Sequence, residues 1–150
     1  MITKIGKEKL EKELEELKKE LRRTVEERAK AAAEGDLREN SAYLFYGERA
    51  EVLRSQIAQV EADLKAAKIQ SVPSQVETVS FGHSVRIRFE NDNRELLITL
   101  VGKNDARIKP DWISLESPLG IALLGKKKSD KVLVNDQPVI ILEITIADLG

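Results

Sequence analysis

Residues 43–67, YLFYGERAEVLRSQIAQVEADLKAA, carry the apolar pattern that decides the fold of the first half of the chain. Their apolar positions follow one another at alternating steps of three and four residues: Tyr43, Tyr46, Ala50, Leu53, Ile57, Val60, Leu64 and Ala67. Such an alternation is typical of the seam along which two helices of a coiled coil pack. The stretch therefore predicts a long helix that needs a partner with a matching seam.

The partner seam lies upstream, in residues 10–33. Its members are Leu10, Leu14, Leu17, Leu21, Val25, Ala29 and Ala33. If the chain reverses between Arg38 and Glu39, the numbers of facing residues add to about 77, so that Leu17 faces Val60 and Thr24 faces Leu53. We therefore predict an antiparallel coiled-coil hairpin over residues 7–69, which forms an arm roughly 45 Å long at 1.5 Å per residue.

The pattern changes after Ile69, and residues 70–80, with Pro73 and several small polar side chains, mark a boundary. We expect residues 1–72 to form the arm and residues 78–150 to form a second domain. Past the boundary, apolar positions alternate with polar ones over short runs, as they do in half-buried strands.

The second domain is predicted to be a small antiparallel sheet with one short helix, so the fold class is α+β. The predicted strands cover residues 83–89, 95–101, 112–116, 131–135 and 139–146. Ser117 and Pro118 supply an N-cap and a first-turn proline for a helix that Gly125 closes. On the first strand, His83 is placed on the solvent-facing side together with the arginines.

The composition excludes several classes of protein. Without cysteine, the chain can form neither disulfides nor a thiolate metal site, and its single histidine excludes sites that need two imidazoles. The 25 basic and 26 acidic residues leave no basic surplus for a nucleic-acid interface built mainly on charge. No apolar run approaches the ~20 residues of a membrane span, and we expect a soluble, monomeric, cytoplasmic protein.

The segment between the two seams, residues 35–40, contains the acidic side chains of Asp36 and Glu39. In one interpretation Gly35 ends the first helix and Asp36 starts the second, with Glu39 completing a capping box. In the other, the two carboxylates form part of a Mg²⁺ site, since this ion is commonly held by one or two carboxylates plus other oxygen ligands. Both roles can coexist, and the residues alone leave the choice open.

Two longer motifs resemble a known family. Residues 35–43, GDLRENSAY, are similar to the tip motif of bacterial Gre factors, Gly-Asp-Leu-x-Glu-Asn followed by a small residue, an acid and Tyr. Residues 112–126, WISLESPLGIALLGK, are similar to the family's Ile-Ser-x-x-Ser-Pro-x-x-x-Ala-Leu-x-Gly-Lys, and Phe81-Gly82 matches the opening of its first strand. The resemblance spans nearly the whole chain and implies the GreA/GreB fold, whose C-terminal domain is FKBP-like.

The resemblance implies a transcription elongation factor that inserts its arm into the secondary channel of RNA polymerase. There Asp36 and Glu39 would share the second Mg²⁺ with the polymerase and orient a water for cleavage near the 3′ end of backtracked RNA. On this basis the isolated protein is not an enzyme. The residues expected to support the tip are Gly35, Leu37, Arg38, Asn40, Tyr43 and Phe45. The residues that the resemblance implies for docking on the polymerase are Glu116, Ser117 and Pro118.

Three alternatives remain at this point. The family often has an acid immediately before the tip tyrosine, whereas this chain has Ala42, which leaves open a Gre-like factor that occupies the channel and inhibits or modulates transcription without stimulating cleavage. A coiled-coil chaperone or scaffold would explain the seam but neither motif. A peptidyl-prolyl isomerase would need an aromatic pocket, for which Phe81, Phe89 and Trp112 are the candidates.

Overall fold

The computed structural model describes residues 1–35 and 40–149. The elements in chain order are α1 (Lys4–Ala33), α2 (Ser41–Ala66), β1 (His83–Phe89), β2 (Arg94–Val101), β3 (Trp112–Ser114), α3 (Pro118–Leu123), β4 (Lys131–Val134) and β5 (Gln137–Ile146). The chain divides into two compact units: Glu8–Ala67, called the arm unit below, and Met1–Lys7 with Lys68–Gly150, called the sheet unit. Of the helices described, none is both long and apolar enough to cross a membrane.

Contacts between the two long helices confirm that the arm unit is an antiparallel hairpin. Near the end of the arm, the side chain of Asn40 bonds to the backbone of Ala31, and farther down the Arg49 guanidinium pairs with Glu20. Residues later in α2 therefore contact residues earlier in α1, as they do in an antiparallel pair. The buried residues of α2 are Ala50, Leu53, Ile57 and Val60, all of which belong to the predicted seam.

The α1 seam was predicted correctly as far as Leu21 but not beyond it. Thr24, which was predicted to face Leu53, is buried, as is Ala31, whereas Val25 is 44% exposed. The alternation of three and four therefore continues from Thr24 through Arg28 and not through Val25, Ala29 and Ala33. Three successive steps of four residues drift about 40° per step around a helix of 3.6 residues per turn. That drift carries the predicted continuation off the contact face.

The predicted register of the hairpin is also wrong. The pairs Ala31–Asn40 and Glu20–Arg49 have residue numbers that add to about 70, not 77. The prediction centred the reversal between residues 38 and 39, whereas these two pairs centre it near residue 35. Asn40, the residue before α2, bonds to Ala31, so the centre of the reversal lies closer to the first helix than predicted.

The sheet unit contains one five-stranded sheet with the strand order β3-β2-β1-β5-β4. Neighbouring strands are antiparallel except β2 and β3, which pair in parallel with Thr99 opposite Trp112. The sheet is thus mixed, and the fully antiparallel sheet expected from the sequence is wrong for this pair. The ten residues between the two strands return the chain to the starting edge of β2, as a parallel pairing requires.

The hydrophobic core of the sheet unit is built from alternate residues of the strands and from the short helix. Val85 and Ile87 of β1, Leu100 of β2 and Ile141 of β5 are fully buried, and α3 contributes Leu123. The tight connection between β4 and β5 uses two residues with positive φ, Asn135 and Asp136, as expected for a two-residue hairpin turn with the right-handed twist of the strands.

His83 is buried, contrary to the prediction that it faces solvent with the arginines. Its number shares the parity of Val85 and Ile87, so it lies on the core face of β1. Its Nδ1 accepts a hydrogen bond from the Ser80 N–H at 3.1 Å, and Nε2 therefore carries the proton that it donates to the Pro73 carbonyl at 2.9 Å. The side chain thus holds the segment between the arm and the sheet against β1.

The first residues of the chain pack in the sheet unit, although the sequence analysis placed them with the arm. Both carboxylate oxygens of the fully buried Asp105 accept from the Thr3 N–H, and one of them also accepts from the Gly102 N–H. The Thr3 hydroxyl donates to Asp105 and accepts from the Gly6 N–H, so Thr3 caps α1. A Cβ on Gly6 would lie 1.8 Å from the Asp105 oxygen, which requires glycine at this position.

Candidate functional site at the end of the arm

The end of the arm is the place where the sequence analysis located the principal site. Asp36, Leu37, Arg38 and Glu39 lie outside the described residues, so the roles assigned to them stay predictions. The structure does describe the two helix ends that flank this segment, together with Gly35 and Asn40. These residues show how the base of the tip is built.

Asn40 caps the second helix. It has extended backbone angles, and its Oδ1 accepts a hydrogen bond from the Tyr43 N–H at 3.0 Å, which satisfies one of the free backbone donors at the helix start. The prediction that Asp36 starts this helix and that Glu39 completes its capping box is therefore wrong. Because Asn40 fills the N-cap position, α2 does not require either carboxylate as a cap.

The amide nitrogen of the same side chain reaches the other helix. Asn40 Nδ2 donates to the carbonyl oxygen of Ala31, which lies in the last turn of α1. The last four carbonyls of a helix lack their regular helical partners. That of Ala31 accepts from the Glu34 N–H at 3.2 Å, and Asn40 supplies it with a second donor. One side chain thus joins the C-terminal end of α1 to the N-terminal end of α2.

One turn below, an aromatic contact joins the same two helices. The guanidinium carbon of Arg28 lies 4.3 Å from the centre of the Tyr43 ring, a distance at which a cation is attracted to the ring face. Gly47 leaves the room for this arginine, because a Cβ there would lie 2.9 Å from Arg28 Nη2. The predicted assignment of Tyr43 to the seam is consistent with this packing, while the position of Arg28 in the seam was missed.

The outer surface of α2 near the tip exposes apolar side chains. Phe45 is 61% exposed and Leu44 is 52% exposed, and the Phe45 ring meets Tyr46 edge to face with centroids 5.3 Å apart. Phe45 is not one of the predicted seam residues, and its exposure agrees with that. Ala42, which replaces the acid common in the resembled family, is exposed in the first turn of the helix.

The second predicted site, the turn before α3, is held rigidly by its own hydrogen bonds. Ser117 Oγ accepts from the Gly120 N–H at 3.0 Å and donates to the Ser114 carbonyl at 2.6 Å, which confirms its predicted role as the N-cap. The Glu116 N–H donates to Ser114 Oγ at 3.0 Å. The side chains of Glu116 and Pro118 are exposed on this fixed turn.

An apolar strip beside this turn was missed in the sequence. Ile121 of α3 is 65% exposed and Leu124, which caps the C-terminal end of α3, is 46% exposed, and with Pro118 they are spaced three residues apart. Residues at that spacing lie on one side of a helix, so the spacing itself was the signal. Lys126, which follows the strip, is exposed as well.

Two further features bear on the alternatives raised by the sequence. Phe81 and Trp112, the aromatic candidates for an isomerase pocket, are buried within the hydrophobic core. Over residues 1–35 and 40–149, the structure contains no group of three or more His, Cys, Asp or Glu side chains that could hold a metal ion.

Comparison with known proteins covers both units. The family model "Transcription elongation factor, GreA/GreB, C-term" matches residues 73–148, and "Transcription elongation factor, N-terminal" matches residues 1–69. Transcription elongation factor GreA of Thermoanaerobacter pseudethanolicus is 40% identical over 151 aligned residues, which cover 99% of this chain and 96% of that protein. The GreA protein of Syntrophomonas wolfei is 38% identical over 136 residues, covering 89% and 86%. The crystal structure of a GreA factor homolog from Thermus thermophilus matches with 22% identity and a TM-score of 0.45, over 96% of this chain and 97% of that one.

Proposed function

Because the chain belongs to the GreA/GreB family of transcription elongation factors, we propose that it stimulates the cleavage of backtracked RNA by bacterial RNA polymerase. In this proposal the arm enters the secondary channel of the polymerase and brings Asp36 and Glu39 to the RNA 3′ end. The reach is supplied by α1, whose 30 residues span roughly 45 Å. The protein is a cofactor of the polymerase and is not a nuclease by itself.

The observation that carries the proposal is the cap of α2. A carboxylate pair at a helix start is usually explained by capping, but here Asn40 accepts the hydrogen bond from the Tyr43 N–H. Asp36 and Glu39 are therefore available for another task. The length of the arm and the position of the pair between its two helices support a task at a site that the rest of the protein does not reach.

The chemistry of the donor set fits Mg²⁺, which prefers hard oxygen ligands and is commonly held by one or two carboxylates completed by substrate oxygens and water. A bound Mg²⁺ would stabilise charge on the reacting phosphate and lower the pKa of water. The carboxylates of Asp36 and Glu39 would hold the ion jointly with the polymerase. Each carboxylate can also accept a hydrogen bond from the attacking water and so orient it.

Docking on the polymerase is proposed for the turn at Glu116, Ser117 and Pro118. The hydrogen bonds of Ser117 hold this turn in one conformation, so binding would cost little ordering of the backbone. Ile121 and Leu124 extend the surface with apolar side chains that are exposed in the free protein. Burial of these side chains against a partner would add to the affinity.

The test uses the substitutions Asp36→Asn and Glu39→Gln, which remove one negative charge each and keep the shape of the side chain. We expect both variants to bind polymerase as the unmodified protein does but to lower cleavage of backtracked complexes by at least about 100-fold, since an anionic ligand is lost. Glu48→Gln is the matched control, because Glu48 is an exposed acid on α2 outside the tip segment, and it should leave cleavage unchanged.

Two results would contradict the proposal in different ways. Full cleavage by the Asp36 and Glu39 variants would show that the carboxylates have no catalytic part. Binding of the unmodified protein without any stimulation of cleavage would favour the inhibitory alternative that Ala42 suggests.

A further inference from the structure

We propose that Asn40 is a positioning residue for the carboxylates of the tip, in addition to being a helix cap. By bonding to both helix ends, its side chain would fix the base of the segment that carries Asp36 and Glu39. This inference rests on the function proposed above, and it adds a residue to which neither a metal contact nor a polymerase contact is assigned.

The case begins with what a cap requires. An N-cap side chain needs only an acceptor, and Asn, Asp and Ser serve about equally well in that position. Asn40 uses its Oδ1 in this way toward the Tyr43 N–H. The cap alone therefore does not explain why the residue is an asparagine.

The second hydrogen bond does explain it. Nδ2 donates to the carbonyl of Ala31, and among the residues that cap well only asparagine combines a cap acceptor with an amide donor. The bond is partly buried, so water competes with it less than at an open surface. The Asn40 side chain thus links positions nine residues apart in the sequence.

The link closes a loop. Residues 32–39 lie between the two bonded positions, and Asp36 and Glu39 are among them. A connection at the base of a loop reduces the number of conformations open to the residues inside it. Carboxylates that share an ion have to be held close to their productive positions, so such a restriction would raise the fraction of the protein that is ready to bind it.

The hairpin does not depend on this link for its own stability. One turn lower, Arg28 packs over Tyr43, and the seam continues through the buried side chains of Ala50 and Leu53. Variants of Asn40 should therefore keep both helices paired. Because the variants should stay folded, an effect on the tip carboxylates can be measured separately from an effect on folding.

The experiment compares Asn40→Ser, Asn40→Asp and Asn40→Ala. Serine and aspartate keep the cap and lose the donor to Ala31, while alanine loses both bonds. We expect the serine and aspartate variants to have unchanged helicity and to bind polymerase within about twofold of the unmodified protein. The Mg²⁺ concentration for half-maximal RNA cleavage should rise about tenfold in each. Alanine should resemble serine in its Mg²⁺ requirement, because the two share the loss of the link.

An independent measurement without polymerase reports on the link itself. Amide hydrogen exchange over residues 32–35 should become faster in the serine and aspartate variants, while exchange over residues 50–60 should stay the same. Faster exchange at the tip together with the higher Mg²⁺ requirement supports the positioning role.

Several outcomes would overturn the inference. A serine variant with the Mg²⁺ dependence of the unmodified protein would show that Asn40 is a cap only, and so would unchanged exchange over residues 32–35. A loss of cleavage that merely follows a loss of polymerase binding would also contradict it. If Asp36→Asn cleaves normally, the proposed function fails instead, and the exchange measurement alone then decides whether Asn40 orders the segment.

Discussion

The arm unit and the sheet unit are stabilised in different ways. In the arm, the two helices contact each other along a narrow seam of side chains. Backbone hydrogen bonds are satisfied within each helix, so a shift of one helix along the other breaks none of them. In the sheet unit, the backbone hydrogen bonds join strands that are distant in sequence, such as β1 with β5. A shift of one residue there would turn each strand's apolar side chains away from the core.

Because of this difference, the register of the helices in the arm unit and the register of the strands in the sheet unit are fixed by different interactions. In the arm, the buried seam keeps the helices paired, and polar contacts near the tip, such as that between Arg28 and Tyr43, match one register of the two helices. In the sheet unit, backbone pairing fixes the register, and buried polar residues such as Asp105 and His83 hold the connecting segments in place. Substitutions should therefore affect the two units through different mechanisms and by different amounts.

The largest effect is expected for Asp105→Ala in the sheet unit. The substitution leaves the buried N–H groups of Thr3 and Gly102 without their acceptor, and each such group costs about 1–3 kcal/mol. We expect the free energy of unfolding to fall by about 4 kcal/mol, measured by urea denaturation. Asp111→Ala, which removes an exposed acid from the same unit, should change it by less than about 0.5 kcal/mol. If both substitutions lowered the free energy of unfolding equally, the buried hydrogen bonds of Asp105 would not contribute more to stability than an exposed acid does.

A smaller effect is expected for Leu53→Ala in the arm unit. Leu53 is fully buried in the seam, and truncation of buried leucines typically costs 2–5 kcal/mol, roughly 24 cal/mol for each Å³ of cavity that remains. Because the helices of a narrow seam can close partly over the gap, we expect a loss of about 2.5 kcal/mol, measured by thermal unfolding followed through helicity. Val52→Ala, at the neighbouring exposed position, is the control and should be nearly silent. A larger effect for Val52 than for Leu53 would place the seam on another face.

The smallest effect tests the register directly. Glu20 and Arg49 form an ion pair across the hairpin, with side chains 46% and 39% exposed. A double-mutant cycle with Glu20→Gln and Arg49→Gln should give a coupling energy of about 0.5 kcal/mol that weakens in high salt. The cycle of Glu20 with Arg54, which bonds to Glu51 instead, should give none. In the register expected from the sequence, Glu20 would face Ile57, and the first coupling would be zero.

The sequence predicted the helices of the arm well because their seams follow the period of a coiled coil. All four buried residues of α2 were identified in this way. The prediction placed Thr24 on the contact face but continued the seam through Val25, Ala29 and Ala33, since an apolar pattern cannot reveal a seam position occupied by a polar side chain such as Arg28. Because Arg28 was not recognised as a seam residue, its contact with Tyr43, which indicates the register, was not predicted either.

In the sheet unit, local signals were reliable and long-range ones were not. Ser117 and Pro118 predicted the start of α3 correctly, because a cap and a first-turn proline act within one helical turn. The direction of β3 was not predictable from three strand residues, since parallel and antiparallel strands carry the same alternation. Asp105 resembles any acid in a polar loop until its partner, Thr3, is known.

For the candidate site, the tip segment was identified from its motif, but the residue that caps α2 was not. Asp36, Glu39 and Asn40 are all good N-cap or capping-box residues, so their sequence cannot say which one caps α2. The structure assigns that role to Asn40. The docking turn was identified by Ser117, whereas Ile121 and Leu124 were treated as parts of an ordinary helix.

The bond between Thr3 and Asp105 has a consequence for the order in which the protein is made. The two residues lie 102 positions apart, so Thr3 is made long before its buried partner exists. The hairpin, whose contacts are local, can fold during that interval, because local contacts need little loop closure. The isolated bridge between Ile2 and Ile69 can form once residue 69 is available, whereas Thr3 meets its carboxylate only after Asp105 has been made. A fragment that begins after the hairpin would keep the Gly102 donor to Asp105 but lack both donors of Thr3.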